Sequence, residues 1–151
     1  MQPLNLPGFC PKVIEKEGKR MVFDPLRRKY VALTPEEWVR QHFVNYLITH
    51  KNFPQELVAN EVLIKLNGTS KRCDTVAYNR FLTPLMIVEY KASTVNITSA
   101  VFDQIVRYNM VLKVKYLTVS NGINHFCCQI DYDKQAYTFL EEIPDYKLLE
   151  E

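Results

Sequence analysis

The run Leu85-Met86-Ile87-Val88 leads directly into Glu89-Tyr90-Lys91, and nothing else in the chain limits the fold as tightly. Four consecutive apolar residues leave no side for water, so they describe a strand covered on both faces, and such strands sit in sheets flanked by helices. Two segments can supply the covering helices. In "TPEEWVRQHFVNYLITH", Val39, Phe43, Tyr46 and Leu47 recur at the spacing of one helical face. Thr34 can cap this helix, Pro35 suits its first turn and Glu37 completes a capping box, so a helix is expected over about residues 35–50. In "TSAVFDQIVRYNMVLK", Val101, Ile105, Tyr108 and Leu112 form a second stripe, with Thr98 or Ser99 as cap.

The other strands are marked by their turns. "NEVLIKLNG" ends in Asn-Gly, and "RCDTVAY" follows closely, so these two runs and "LMIVEYKA" read as a three-stranded meander. "YLTVSNG" and "HFCCQID" flank a second Asn-Gly, "AYTFL" offers one more strand, and "MVFDPLRRKYVAL" reads as an N-terminal hairpin around Asp-Pro. The expected order is a hairpin, an αβββαβ core and further β-structure. This is an α/β class with a mixed central sheet flanked by helices. No repeat or linker interrupts it, and 151 residues suit one domain over 1–151, with an extension over 1–20 and a charged tail over 140–151.

Against this apolar background three charged groups stand out. Glu89 and Lys91 alternate with Tyr90 and so share one face of their strand. Asp74 lies opposite them if the two strands pair antiparallel. Two carboxylates held close in a dry place raise each other's pKa unless a cation keeps them ionised. Oxygen ligands with no His or Cys in the cluster favour Mg2+ or Mn2+ over zinc. A metal there would activate a water towards phosphorus, and the Lys91 ammonium could orient that water or offset charge growing on the phosphate. Glu36 precedes Val39 by three residues, which continues the inward stripe and makes it a candidate further metal ligand; Glu37 has the cap to make, and Glu61 is a weaker acidic candidate.

The series Glu36, Asp74 and Glu89-Tyr90-Lys91 resembles the PD-(D/E)xK nuclease superfamily, whose restriction-endonuclease-like core has the same αβββαβ order. Gln104 and Tyr108, four apart on one helix, look like the QxxxY motif of its RecB-type branch. With "FDPLRRKYVALTPEEWVRQ" and "TVSNG", the chain over about residues 21–131 resembles the N-terminal nuclease domain of type I restriction enzyme R proteins. The resemblance implies a Mg2+-dependent endodeoxyribonuclease, with Mn2+ as substitute. Asp74, Glu89, Glu36 and the Tyr90 carbonyl would hold metal, Lys91 would be catalytic, and Gln104 and Tyr108 would position the DNA backbone or the lysine. It also implies DNA as partner, together with helicase-motor and specificity or methylation subunits.

Each residue also has a plainer reading. Glu89 and Lys91 form an ordinary same-face ion pair, Asp74 a turn or edge residue, Glu36 a solvated first-turn acid favoured by the helix dipole, and Gln104 and Tyr108 routine helix residues with Tyr108 in the core. The matching alternative is a non-catalytic DNA-binding or assembly module on the same fold. A formal charge of +2 leaves nucleic-acid contact to local clusters, "SKR" at 70–72 and "LRRK" at 26–29. His42, His50 and His125 have no nucleophile arranged with them, and Cys10, Cys73, Cys127 and Cys128 lack a CxxC pair and read as buried thiols. Neither a secretory leader nor a membrane span is legible, so a cytoplasmic protein without membrane contact is expected.

Overall fold

The computed structural model describes residues 3–151. Three strands, β1 (Val13–Lys16), β2 (Lys19–Asp24) and β3 (Lys29–Ala32), form a small antiparallel sheet ahead of helix α1 (Pro35–His50). A 3-10 turn at Gln55–Leu57 leads into β4 (Val58–Leu66), β5 (Thr69–Tyr78) and β6 (Pro84–Tyr90). Helix α2 (Ser99–Asn109) tightens into a 3-10 turn at Met110–Leu112, and β7 (Tyr116–Ser120), β8 (His125–Asp131), β9 (Ala136–Phe139) and the one-turn α3 (Tyr146–Leu149) complete the chain. The second sheet has the order β4-β5-β6-β7-β8-β9 and is antiparallel except where α2 carries the chain from β6 to a parallel β7.

β6 shows why its sequence reads as it does. Met86, Val88 and Tyr90 face α1, where they pack with Val39, Phe43 and Leu47, while Ile87 packs on the α2 side with Phe102, Ile105 and Val106. The helix α1 begins and ends where its signals place it, with the Thr34 hydroxyl accepting from the Glu37 amide at 3.0 Å. Its environment is more enclosed than a single stripe implies. Glu37 and every residue from Val39 to Val44 are buried: Val39 and Phe43 pack on the sheet, Arg27 bonds to Glu37, and Phe9 of the N-terminal segment packs edge-on to His42.

Three features depart from the expectations. The stretch read as an extension contains β1, whose residues Val13–Lys16 are largely exposed and lack apolar alternation; the positive φ of Glu17 and Gly18 makes the tight turn that pairs it with β2. Tyr108 is 55% exposed, and the buried face of α2 is Phe102, Ile105, Val106 and Asn109. Phe102 turns inward because Phe126, Tyr137 and Phe139, distant in sequence, surround it with aromatic rings. The stretch read as a charged tail carries Ile143, Tyr146 and Leu149 into the core, and the Tyr146 hydroxyl donates to the Tyr78 carbonyl at 2.7 Å. Among the described residues no helix is long and apolar enough to cross a membrane.

Candidate active site

The antiparallel register of β5 and β6 pairs Thr75 with Val88, so Asp74 stands beside Glu89 on the α2 face of the sheet. The Tyr90 amide donates to Asp74 Oδ2 at 2.9 Å, which fixes the carboxylate at the end of β6. Tyr90 points the other way, 4% exposed against Phe43, and its hydroxyl donates to Thr75 Oγ1 at 2.9 Å. Lys91 lies one residue past the strand, where its amide donates to the Ser120 carbonyl at 2.9 Å. These three charged groups act on one another electrostatically. Burial raises the pKa of Asp74, opposed by the Tyr90 hydrogen bond and by the charges of Arg40 and Lys91. Burial likewise raises Glu89, with Lys91 pulling down and Asp74 pushing up.

A pocket of about 390 Å³ opens at this point, and Asp74, Glu89 and Tyr90 line it together with Glu36, Glu37, Arg40 and Glu61. Lys91, Gln104 and Tyr108 are not among its lining residues. The α1 acids exchange the roles read from the sequence. Glu36 is exposed at the pocket rim, whereas Glu37 is 5% exposed and spends its carboxylate on neighbours instead of on a capping-box bond. Arg40 donates to both oxygens of Glu37, at 3.0 and 2.6 Å, and to the main-chain carbonyl of Asp74 at 2.9 Å. Burial would lower the pKa of Arg40, but its bonds to Glu37 and Glu61 outweigh this and raise it.

Sequence reasoning passed over Arg40 and weighted Glu61 lightly. Glu61 sits in β4 at φ 56°, a left-handed backbone rare for a non-glycine residue in a strand, and its carboxylate pairs with Arg40 at 2.9 Å. The signal for Arg40 was available: it follows Glu37 by three residues and so shares its helix face. Of the basic clusters, Arg27 is committed to Asp24 and Glu37, while Arg72 remains 63% exposed at its side chain. Lys71 sits 3.4 Å over the Tyr108 ring, which joins the exposed α2 tyrosine to the "SKR" cluster. Gln104 is exposed on the same helix.

The donor set suits a hard divalent cation. Glu89 Oε2 is buried and has no hydrogen-bond partner, an orphan acceptor beside a second carboxylate. Among the described residues no three His, Cys, Asp or Glu side chains form a metal-holding group, so the protein offers two carboxylates and not a closed cage. Mg2+ is commonly held in that way, by one or two carboxylates with water and substrate phosphate completing its shell.

A family model described as the type I restriction enzyme R protein N terminus (HSDR_N) matches residues 35–144. Among solved structures the chain is similar to a fragment assigned to the HsdR subunit of a type I restriction enzyme from Vibrio vulnificus YJ016, with a TM-score of 0.54 and 18% identity. The likeness covers 78% of this chain and 24% of that one, and at this identity it shows the fold, a restriction-endonuclease-like mixed sheet flanked by helices. No curated protein matches the chain.

Proposed function

Because the chain belongs to the type I restriction enzyme R protein N-terminal family, we propose that it is the metal-dependent DNA-cleaving part of a restriction system. The observation that carries this reading is the pair Asp74 and Glu89 on neighbouring strands, both with raised pKa and with one Glu89 oxygen buried and unpartnered. Such a pair is stable in its ionised form only when a cation is bound. Asp74 and Glu89 would hold Mg2+ or Mn2+, with the Tyr90 main-chain carbonyl and Glu36, which lines the same pocket, as further ligands. When bound, the metal supplies polarisation of the phosphodiester and an acidified water.

The protein's own groups do the rest. Lys91 carries a compact positive charge coupled to both carboxylates, and it orients the water or offsets charge on the scissile phosphate. Lys71, Arg72, Gln104 and Tyr108 contact the DNA backbone. With a net charge of +2 the chain neutralises few phosphates, so its unaided DNA affinity is low and falls steeply between about 50 and 200 mM salt. Motor and specificity subunits would raise the local DNA concentration by tethering.

Cleavage of duplex and single-stranded DNA with and without Mn2+, read beside calorimetric Mn2+ binding, tests this. Slow, sequence-independent nicking is expected. Lys91→Ala should abolish it with Mn2+ affinity kept, and Asp74→Ala and Glu89→Ala should abolish it and weaken Mn2+ binding. A non-catalytic DNA-binding or assembly role is favoured by one observation, the absence of Lys91 from the pocket lining. Salt-sensitive DNA binding with no metal-dependent cleavage by the wild type would establish that role instead.

A further inference from the structure

We propose that Asp24 and Arg27 of the N-terminal sheet, acting through Glu37 and Arg40, are positioning residues for Asp74, so that the strands ahead of residue 35 are a working part of the active site. This rests on the metal-site reading above and extends it to a segment outside the family match at 35–144.

The bonds form a closed ring. Arg40 Nη1 donates to the Asp74 carbonyl at 2.9 Å, and the rest of its guanidinium is held by Glu37 and Glu61. Arg27 Nη2 donates to Glu37 Oε1 at 2.8 Å, and Arg27 Nε donates to Asp24 Oδ2. Asn60 Nδ2 donates to the same Asp24 oxygen at 2.9 Å, Thr75 donates to Asn60 Oδ1 at 2.7 Å, and the Tyr90 hydroxyl donates to Thr75. The Tyr90 amide then returns to the Asp74 carboxylate. Asp74 is thereby gripped at its main chain from one side and at its side chain from the other.

Stability alone is a poor reason for this arrangement. Asp24, Glu37 and Arg40 are 0%, 5% and 7% exposed, and buried ion networks can often be replaced by apolar groups without loss. What the network contributes is direction and charge balance. Glu37 shares with Glu61 the neutralisation of Arg40, an arginine held beside Asp74 whose unbalanced charge would compete with a bound metal. Arg27, clamped by Asp24, keeps Glu37 turned towards Arg40. Residues that orient a metal-binding carboxylate without touching the metal commonly change its affinity by about 10- to 100-fold when removed.

The test uses Arg27→Met and Arg27→Lys in the full chain, with two readouts. One is Mn2+ affinity by calorimetry; the other is hydrogen exchange of the Tyr90 amide relative to that of Val88, in metal-free protein. Arg27→Met is expected to weaken Mn2+ by about 10- to 100-fold and to speed Tyr90 exchange about tenfold relative to Val88. Arg27→Lys, which keeps the charge but not the planar fork, should recover part of both. Wild-type Mn2+ affinity with unchanged Tyr90 exchange overturns the proposal, and so does equal acceleration at Tyr90 and Val88, which marks general loosening. If Arg27→Met does not fold, Asp24→Asn, which keeps the shape of the side chain, is judged by the same two criteria. Unaltered Mn2+ binding in Asp74→Ala would defeat the metal-site reading itself, and Tyr90 exchange would still decide the relay separately.

Discussion

Glu37 and Glu89 are both carboxylates withdrawn from water near one pocket, yet they are treated in opposite ways. Glu37 accepts from Arg27, Gln41 and twice from Arg40, which fills its acceptor sites and lowers its pKa despite the burial that would raise it. Glu89 has a buried oxygen with no donor, and burial with the neighbouring Asp74 charge raises its pKa against the pull of Lys91. The difference separates an acid whose ionisation the fold completes from one whose ionisation it leaves unfinished. An unfinished site is costly unless a ligand completes it, and that cost is a physical argument for function which composition and burial alone do not supply.

The largest effect is expected from breaking the completed side. Glu37→Ala leaves Arg40 with Glu61 as its remaining carboxylate partner and strips Arg27 of one of its two, and should cost about 3–5 kcal/mol in urea denaturation. A loss under about 1 kcal/mol would mean that solvent already screens the network. Completing the unfinished side comes next: Mn2+ at 100 times its dissociation constant should add about 2.7 kcal/mol to the wild type and nothing to Asp74→Ala. Equal stabilisation of both proteins would locate the ion elsewhere.

Neutralising the unfinished acid should be smaller and opposite in sign to the first change. Glu89→Gln is expected to stabilise the metal-free protein at neutral pH by about 1 kcal/mol. The pH dependence sharpens the contrast. The raised pKa of Glu89 and Asp74 contributes stability that is full below the unfolded value of about 4 and is lost as pH rises through the folded values. The lowered pKa of Glu37 and Asp24 contributes stability present above about pH 4 and lost as pH falls through their folded values. The gain from Glu89→Gln should therefore shrink on acidification in denaturation series, and a gain that grew instead would reverse the assignment. As a solvent-facing reference, Tyr108→Ala removes the contact with Lys71 and should change stability by at most about 1 kcal/mol. A larger loss would show that this exposed pair carries weight beyond DNA contact.

Much of the architecture was legible because it is written in local signals. Thr34-Pro35 and the 3.6 period locate α1, the Asn67-Gly68 turn separates β4 from β5, and the apolar run before Glu89 identifies a central strand. The spacing from Asp74 to Glu89 was readable too, since an antiparallel pair joined by a short turn has few registers available. The roles of the α1 acids were not. Periodicity assigns a face to each residue but cannot tell what reaches the opposite face, and here Arg27 of the N-terminal segment bonds to Glu37 there.

By itself, then, the order of residues determined the class of fold, the strand carrying Glu89 and the closeness of Asp74, because each depends on neighbours within one or two turns of chain. Only the tertiary structure decided that Glu37 is satisfied while Glu89 is not, that Phe102 replaces Val101 and Tyr108 in the buried face of α2, and that Arg27, held by Asp24, bonds to the pocket residue Glu37. Those outcomes depend on which donors arrive from distant segments. A carboxylate's ionisation is set by the dipoles and charges within a few ångströms of it, and sequence separation does not measure that distance.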